Sequence, residues 1–183
     1  DFAGYVYGLL AQPEYTKRFA DELASKEVRV PLTKDGSVFS KVSNFGKELI
    51  WLHTYGERLN DATHPKGKIP HGAARCTKAV SDAEDRYPNE FRYTENTKTL
   101  HVGDGEFAPV SFAVWKFEVS GLKVVQSWLG YRMKDRSGKK SSPLDGIRPR
   151  TWTRDFTSEL LELLWVLERT VAGYEKQKQL LEA

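Results

Sequence analysis

Apolar residues recur every three to four positions over several stretches of this chain, and every second position over a few short ones. That contrast separates helices from strands. Phe2, Tyr5, Val6, Leu9 and Leu10 fall on one helical face. Pro13 ends this helix, because it lacks an amide hydrogen and disfavours helix at Gln12. A second helix carries Tyr15, Phe19 and Leu23 on one side, and "VRVPL" is extended up to Pro31. Residues 38–54 return to helix around Val38, Val42, Phe45, Leu49 and Leu52. The longest pattern runs from Arg154 to Leu181, with Phe156, Leu160, Leu163, Leu164, Leu167, Val171 and Tyr174 inward.

The middle of the chain is different. Residues 56–86 are polar, carry Pro65 and Pro70, and read as a long loop or insertion. "EFRYTE" and "KTLHVG" read as strands with Asn96 near their turn, and "GDGEFAP" as a further turn. Residues 111–115 suit one helical turn, and "KFEV" another strand. After a turn at Ser120-Gly121, the spacing predicts a helix over 122–133, with Leu122, Val125, Trp128 and Leu129 on one side. Residues 134–150 form a basic loop. The expected fold class is α+β: a small, mainly antiparallel sheet within residues 89–119, flanked by helices from both chain ends. The long C-terminal helix should fold back on the N-terminal ones, because its apolar stripe is too wide to leave in water.

The 183 residues suit one domain or one and a half, and the 39% hydrophobic and 12% aromatic content suffices for a core. No apolar run reaches the roughly 18 to 20 residues of a membrane span, and no signal peptide is recognised. Cys76 stands alone, so an internal disulfide is excluded, which fits a reducing, cytoplasmic setting. The opening at Asp1, already in helical sequence, suggests a piece of a longer polypeptide. Net charge is only +3, yet residues 116–154 hold ten Lys or Arg against three acids, and residues 155–183 three against six. Such a basic middle points to a localised polyanion site.

"GDGEFA" matches a dinucleotide-binding glycine pattern in form, but Pro109 follows where a helix would have to begin, so it reads as a hairpin turn. His53 and Glu57 have helical ligand spacing without an evident third ligand, so no metal is expected. Cys76 reads as a packing residue, and the sequence holds no nucleophile elbow or paired carboxylates. Most of the five tryptophans fall on apolar faces and belong to the core. Charge runs on loops are often simply solvated. Here Arg132, Lys134, Arg136, Lys139 and Lys140 follow a packed helix, and Lys116 and Lys123 flank the "VSG" turn containing Ser120. Cations on a rigid element are what phosphate neutralisation and guanine reading require. Lys66, Lys68, His71 and Arg75 form a second basic group in the polar segment.

"YVYGLLAQPEYTKRFADEL…VRVPL" resembles the segment after the catalytic motifs in large bacterial adenine methyltransferases of restriction–modification systems. "FAPVSFAVWKFEVSGLKVVQSWLGYRMKDRSG" looks like their target recognition domain, and "SPLDGIRPRTWTRDFTSELLELLWVLERTV" like the C-terminal end of single-polypeptide type I (type ISP) enzymes. The resemblance implies a domain that binds double-stranded DNA by sequence. Residues 1–55 would be a helical segment leading from an upstream methyltransferase domain, and residues 56–183 the recognition domain. The parent enzyme would use S-adenosylmethionine. The catalytic tetrapeptide of such enzymes is absent, so this part is expected to bind no cofactor and perform no chemistry alone. The competing reading is a scaffold domain that docks neighbours through its long helices.

Overall fold

The computed structural model describes residues 1–24, 30–134 and 149–181. They form two compact units. One comprises residues 1–70 with those from Arg169 onward, and the other residues 71–168.

The first unit is helical. α1 (Phe2–Leu10) crosses α4 (Gly36–His53) at glycines. A Cβ on Gly4 would lie 2.5 Å from the Ser43 carbonyl oxygen, and one on Gly46 would overlap the Gly4 carbonyl. Backbones this close leave no room for a side chain. Between α1 and α4, α2 (Pro13–Arg18) begins with Pro13 at its first turn, where the missing amide costs nothing, and the buried Gln12 side chain caps Glu14 N. α3 (Ala20–Leu23) follows. Asp35 caps α4 by accepting from Ser37 N and Val38 N. Tyr5, Leu9, Tyr15 and Val42 form the core, with Phe39 stacked on Tyr5. The Tyr5 hydroxyl donates to Pro31 O at 3.0 Å and accepts from Thr33 N, which pins the extended segment to α1.

The last helix, α7 (Arg154–Leu181), contributes to both units. Within the first, Gln177 donates to Gly8 O at 2.7 Å, and Thr170 meets the His53 ring at 2.8 Å. The expected return of the final helix onto the N-terminal ones is therefore found.

The second unit is built on an antiparallel sheet of order β1-β4-β3-β2: β1 (Arg75–Lys78), β2 (Phe91–Thr94), β3 (Thr99–Val102) and β4 (Gly105–Ala108). Tyr93 pairs with Leu100, and Leu100 with Phe107, so these side chains share one face. Leu100, Val102 and Phe107 are fully buried there. Trp115 of α5 (Phe112–Trp115) stacks on Tyr93 at 5.1 Å. Val125 and Leu129 of α6 (Val124–Gly130) and Leu160 and Leu164 of α7 are also fully buried. The polar face carries Arg92 opposite His101 and His101 opposite Glu106.

The α+β class and its small antiparallel sheet hold, with corrections of detail. The polar segment 56–86 contributes edge strand β1 and a 3-10 turn at Glu84–Arg86. Only the first half of "GDGEFAP" turns, at Gly103 with φ 56°, and its second half is the central strand β4. Residues 118–119 and 122–123 form a separate two-stranded ribbon, β5 (Glu118–Val119) and β6 (Leu122–Lys123). Leu122 therefore precedes the helix instead of lining its buried side, and is 58% exposed.

Candidate nucleic-acid interface

The β5–β6 ribbon turns through Ser120 (φ 50°) and Gly121 (φ 80°). Two consecutive positive φ values are the requirement of a type I′ hairpin turn, whose twist matches that of the strands. Glycine takes this conformation freely, whereas serine there is uncommon. Val119 pairs with Leu122 and Glu118 with Lys123, so one ribbon face is apolar and the other charged. Val124 N donates to Phe117 O at 3.1 Å and closes the ribbon's base. Lys123 then serves as the N-cap residue of α6, and Gln126 donates to Trp115 O at 2.9 Å, locking α6 to α5. Lys116 ends α5 with its ammonium 4.5 Å from the Phe112 ring centre. Lys116, Ser120 and Lys123 are thus exposed neighbours on one module whose base is packed.

The far end of α6 is about 10 Å further along. Arg132 there does not behave as a loop cation. Its guanidinium lies 3.6 Å from the Trp128 ring centre and 5.1 Å from that of Phe156, and it ion-pairs with Glu159 at 3.0 Å. Trp152 and Phe156 complete this aromatic group. These contacts tie α6 to α7. Lys134 has its backbone anchored to Pro88 O at 2.8 Å and is exposed. Arg136, Lys139 and Lys140 lie outside the described residues.

The second basic group is divided between the two units. Lys66 and Lys68 belong to the first unit, where Lys66 faces Glu57 at 3.7 Å; His71 and Arg75 belong to the second. His71 stacks on Trp165 with ring centres 4.2 Å apart. Arg75 lies 5.9 Å from the same indole and donates to Gly72 O and Ala74 O. Beneath them the Glu168 carboxylate accepts from Ala73 N and Ala74 N at 2.6 and 3.0 Å. Trp165 and Glu168 position this loop from over 90 residues away, and no local sequence signal connects them to it.

The other chemical candidates are structural. His53 sits between the Tyr7 hydroxyl (2.7 Å) and Thr170 (2.8 Å), and its burial lowers its pKa. Burial pushes the Cys76 thiol up, which keeps it protonated and a poor nucleophile. Among the described residues, no three His, Cys, Asp or Glu side chains are grouped to hold a metal, and no helix is long and apolar enough to cross a membrane.

A family model described as the Type ISP C-terminal specificity domain matches residues 1–163. Comparison with curated proteins finds no match. A nuclease-deletion mutant of the Type ISP restriction-modification enzyme LlaGI, in complex with a DNA substrate mimic, superposes with TM-score 0.61 at 18% identity over 94% of this chain. The ATP-dependent Type ISP enzyme LlaBIII bound to DNA gives 0.62 at 18% identity over 96%. The DrdV–DNA complex gives 0.57 at 15% identity over 98%. At these identities the likeness is one of fold. The chain spans 13%, 11% and 17% of the three proteins' lengths.

Proposed function

Because the chain belongs to the Type ISP C-terminal specificity domain family, we propose that it reads duplex DNA by sequence on behalf of an adenine methyltransferase domain in the same polypeptide. The observation that carries this reading is the α5–ribbon–α6 module. It presents Lys116, Ser120 and Lys123 on a backbone fixed by the turn, the Phe117–Val124 hydrogen bond and the Gln126–Trp115 hydrogen bond. Base reading needs placement of this kind, whereas phosphate contacts set register without it. Lys134, Arg136, Lys139 and Lys140 are assigned to phosphates, and Arg132 to holding α6 in place. The three solved proteins of like fold, two bound to DNA and one to a DNA substrate mimic, support the DNA-binding reading of the domain. His71 and Arg75, fixed on Trp165, form a second DNA-facing candidate in the same unit.

In this reading the domain does no chemistry itself. It binds no S-adenosylmethionine, neither methylates nor cleaves DNA alone, and acts in the cytoplasm as part of a restriction–modification enzyme. The test is a fluorescence titration of the full-length polypeptide with a duplex selected from a random pool and with its scrambled counterpart, over a range of salt. The reading expects preference for the selected duplex and affinity that falls steeply with salt, since each neutralised phosphate releases counterions. Equal, salt-independent affinities would support the scaffold alternative.

A further inference from the structure

The β5–β6 ribbon turns its apolar pair outward. Val119 and Leu122 face each other across the Ser120-Gly121 turn and are 55% and 58% exposed. A Cβ built on Gly121 would meet nothing within 4 Å, so the tip stands clear of its own unit. Single exposed apolar side chains are ordinary. Here two share one face at the tip, while Val125 and Leu129 just beyond are fully buried. Lys123 lies on the opposite ribbon face, and Lys116 closely precedes the ribbon at the end of α5. Glu118 faces Lys123 on that charged face, so the module keeps a net positive charge through Lys116, which an apolar protein surface covering the pair would leave without counter-charge. A duplex offers both chemistries, because its major groove admits a two-stranded ribbon, displays the thymine C5-methyl group and is bordered by phosphates.

Resting on the DNA-reading function above, we infer that Val119 and Leu122 read thymine methyl groups in the major groove, with Ser120 at the same tip and the long Lys116 and Lys123 side chains, reaching round the ribbon's edge, supplying polar contacts. The discrimination is then partly apolar and independent of hydrogen bonding. Removing one methyl from the DNA should cost about the transfer of one buried methyl-sized group, which is about fourfold in affinity.

The experiment replaces each thymine of the selected duplex by deoxyuridine in turn and titrates the full-length polypeptide. For the wild type, at least one position should weaken binding by about fourfold. The double variant Val119→Ala, Leu122→Ala should bind the thymine duplex less tightly and lose its response to deoxyuridine at that position. Its melting temperature should match the wild type, because both side chains are exposed. Silence of deoxyuridine at every position overturns the inference. So does a double variant that keeps the wild-type deoxyuridine response. Equal weakening of thymine and uracil duplexes by the variant, without a methyl response, assigns the pair to packing against another domain. If the wild type shows no preference for the selected duplex at all, the DNA-reading function falls as well.

Discussion

The Arg132 guanidinium meets the Glu159 carboxylate at 3.0 Å, so the first cation after α6 is neutralised within its own unit. Replacing Arg132 by alanine should lower stability by about 1–2 kcal/mol, mainly because stacking on Trp128 and aliphatic packing disappear. Glu159→Gln should cost less than about 1 kcal/mol, because an ion pair this open to solvent is screened. Urea denaturation measures both. If Arg132→Ala leaves stability unchanged and instead lowers the salt slope of DNA binding, the residue is a phosphate ligand after all.

Gly46→Ala should be among the most damaging single-methyl changes in the chain. The added carbon would overlap the Gly4 carbonyl, and α1 and α4 can relieve it only by separating. Overpacking of this kind costs about 1–3 kcal/mol or more. Gly130→Ala adds the same atom where nothing lies within 4 Å, and should leave the melting temperature close to wild type.

His53 links stability to pH. Burial lowers its pKa below the ordinary 6.5, so the folded state holds the ring neutral. Above the ordinary value both folded and unfolded chains are neutral, and His53 has no effect. As pH falls below it, the unfolded chain takes up the proton first, and stability drops. His53→Gln keeps a polar group between Tyr7 and Thr170 but cannot titrate. Its stability should fall less than the wild type's between pH 7 and 5. Parallel pH profiles for the two would contradict this account.

Much of this was legible in the sequence, for physical reasons that also explain what was not. Helices α1, α4 and α7 announce themselves because each buries one stripe, and Tyr5, Leu9, Leu49, Leu160 and Leu164 all fall on it. β1 does not, because it is a four-residue edge strand whose Arg75, Thr77 and Lys78 are exposed, and it exists through pairing with β4 some thirty residues on. Leu122 fits a helical stripe by spacing alone, but the Ser120-Gly121 turn pairs it with Val119 first. For the candidate site, the sequence marks the basic module and its turn. It cannot show that Arg132 has Glu159, 27 positions away, for a partner, or that His71 and Arg75 share Trp165.

The central claim, that the basic module is the DNA-reading surface, is tested most directly by comparing two variants of the full-length polypeptide on selected and scrambled duplexes across salt. Lys139→Ala with Lys140→Ala should weaken binding to both duplexes alike and reduce the log–log salt slope by about 0.9 for each phosphate no longer neutralised. Lys123→Ala should instead cost about 1–3 kcal/mol on the selected duplex and less on the scrambled one. If both variants bind both duplexes as tightly as wild type at every salt concentration, the basic module is not the interface, and the loop that holds His71 and Arg75 against Trp165 takes its place.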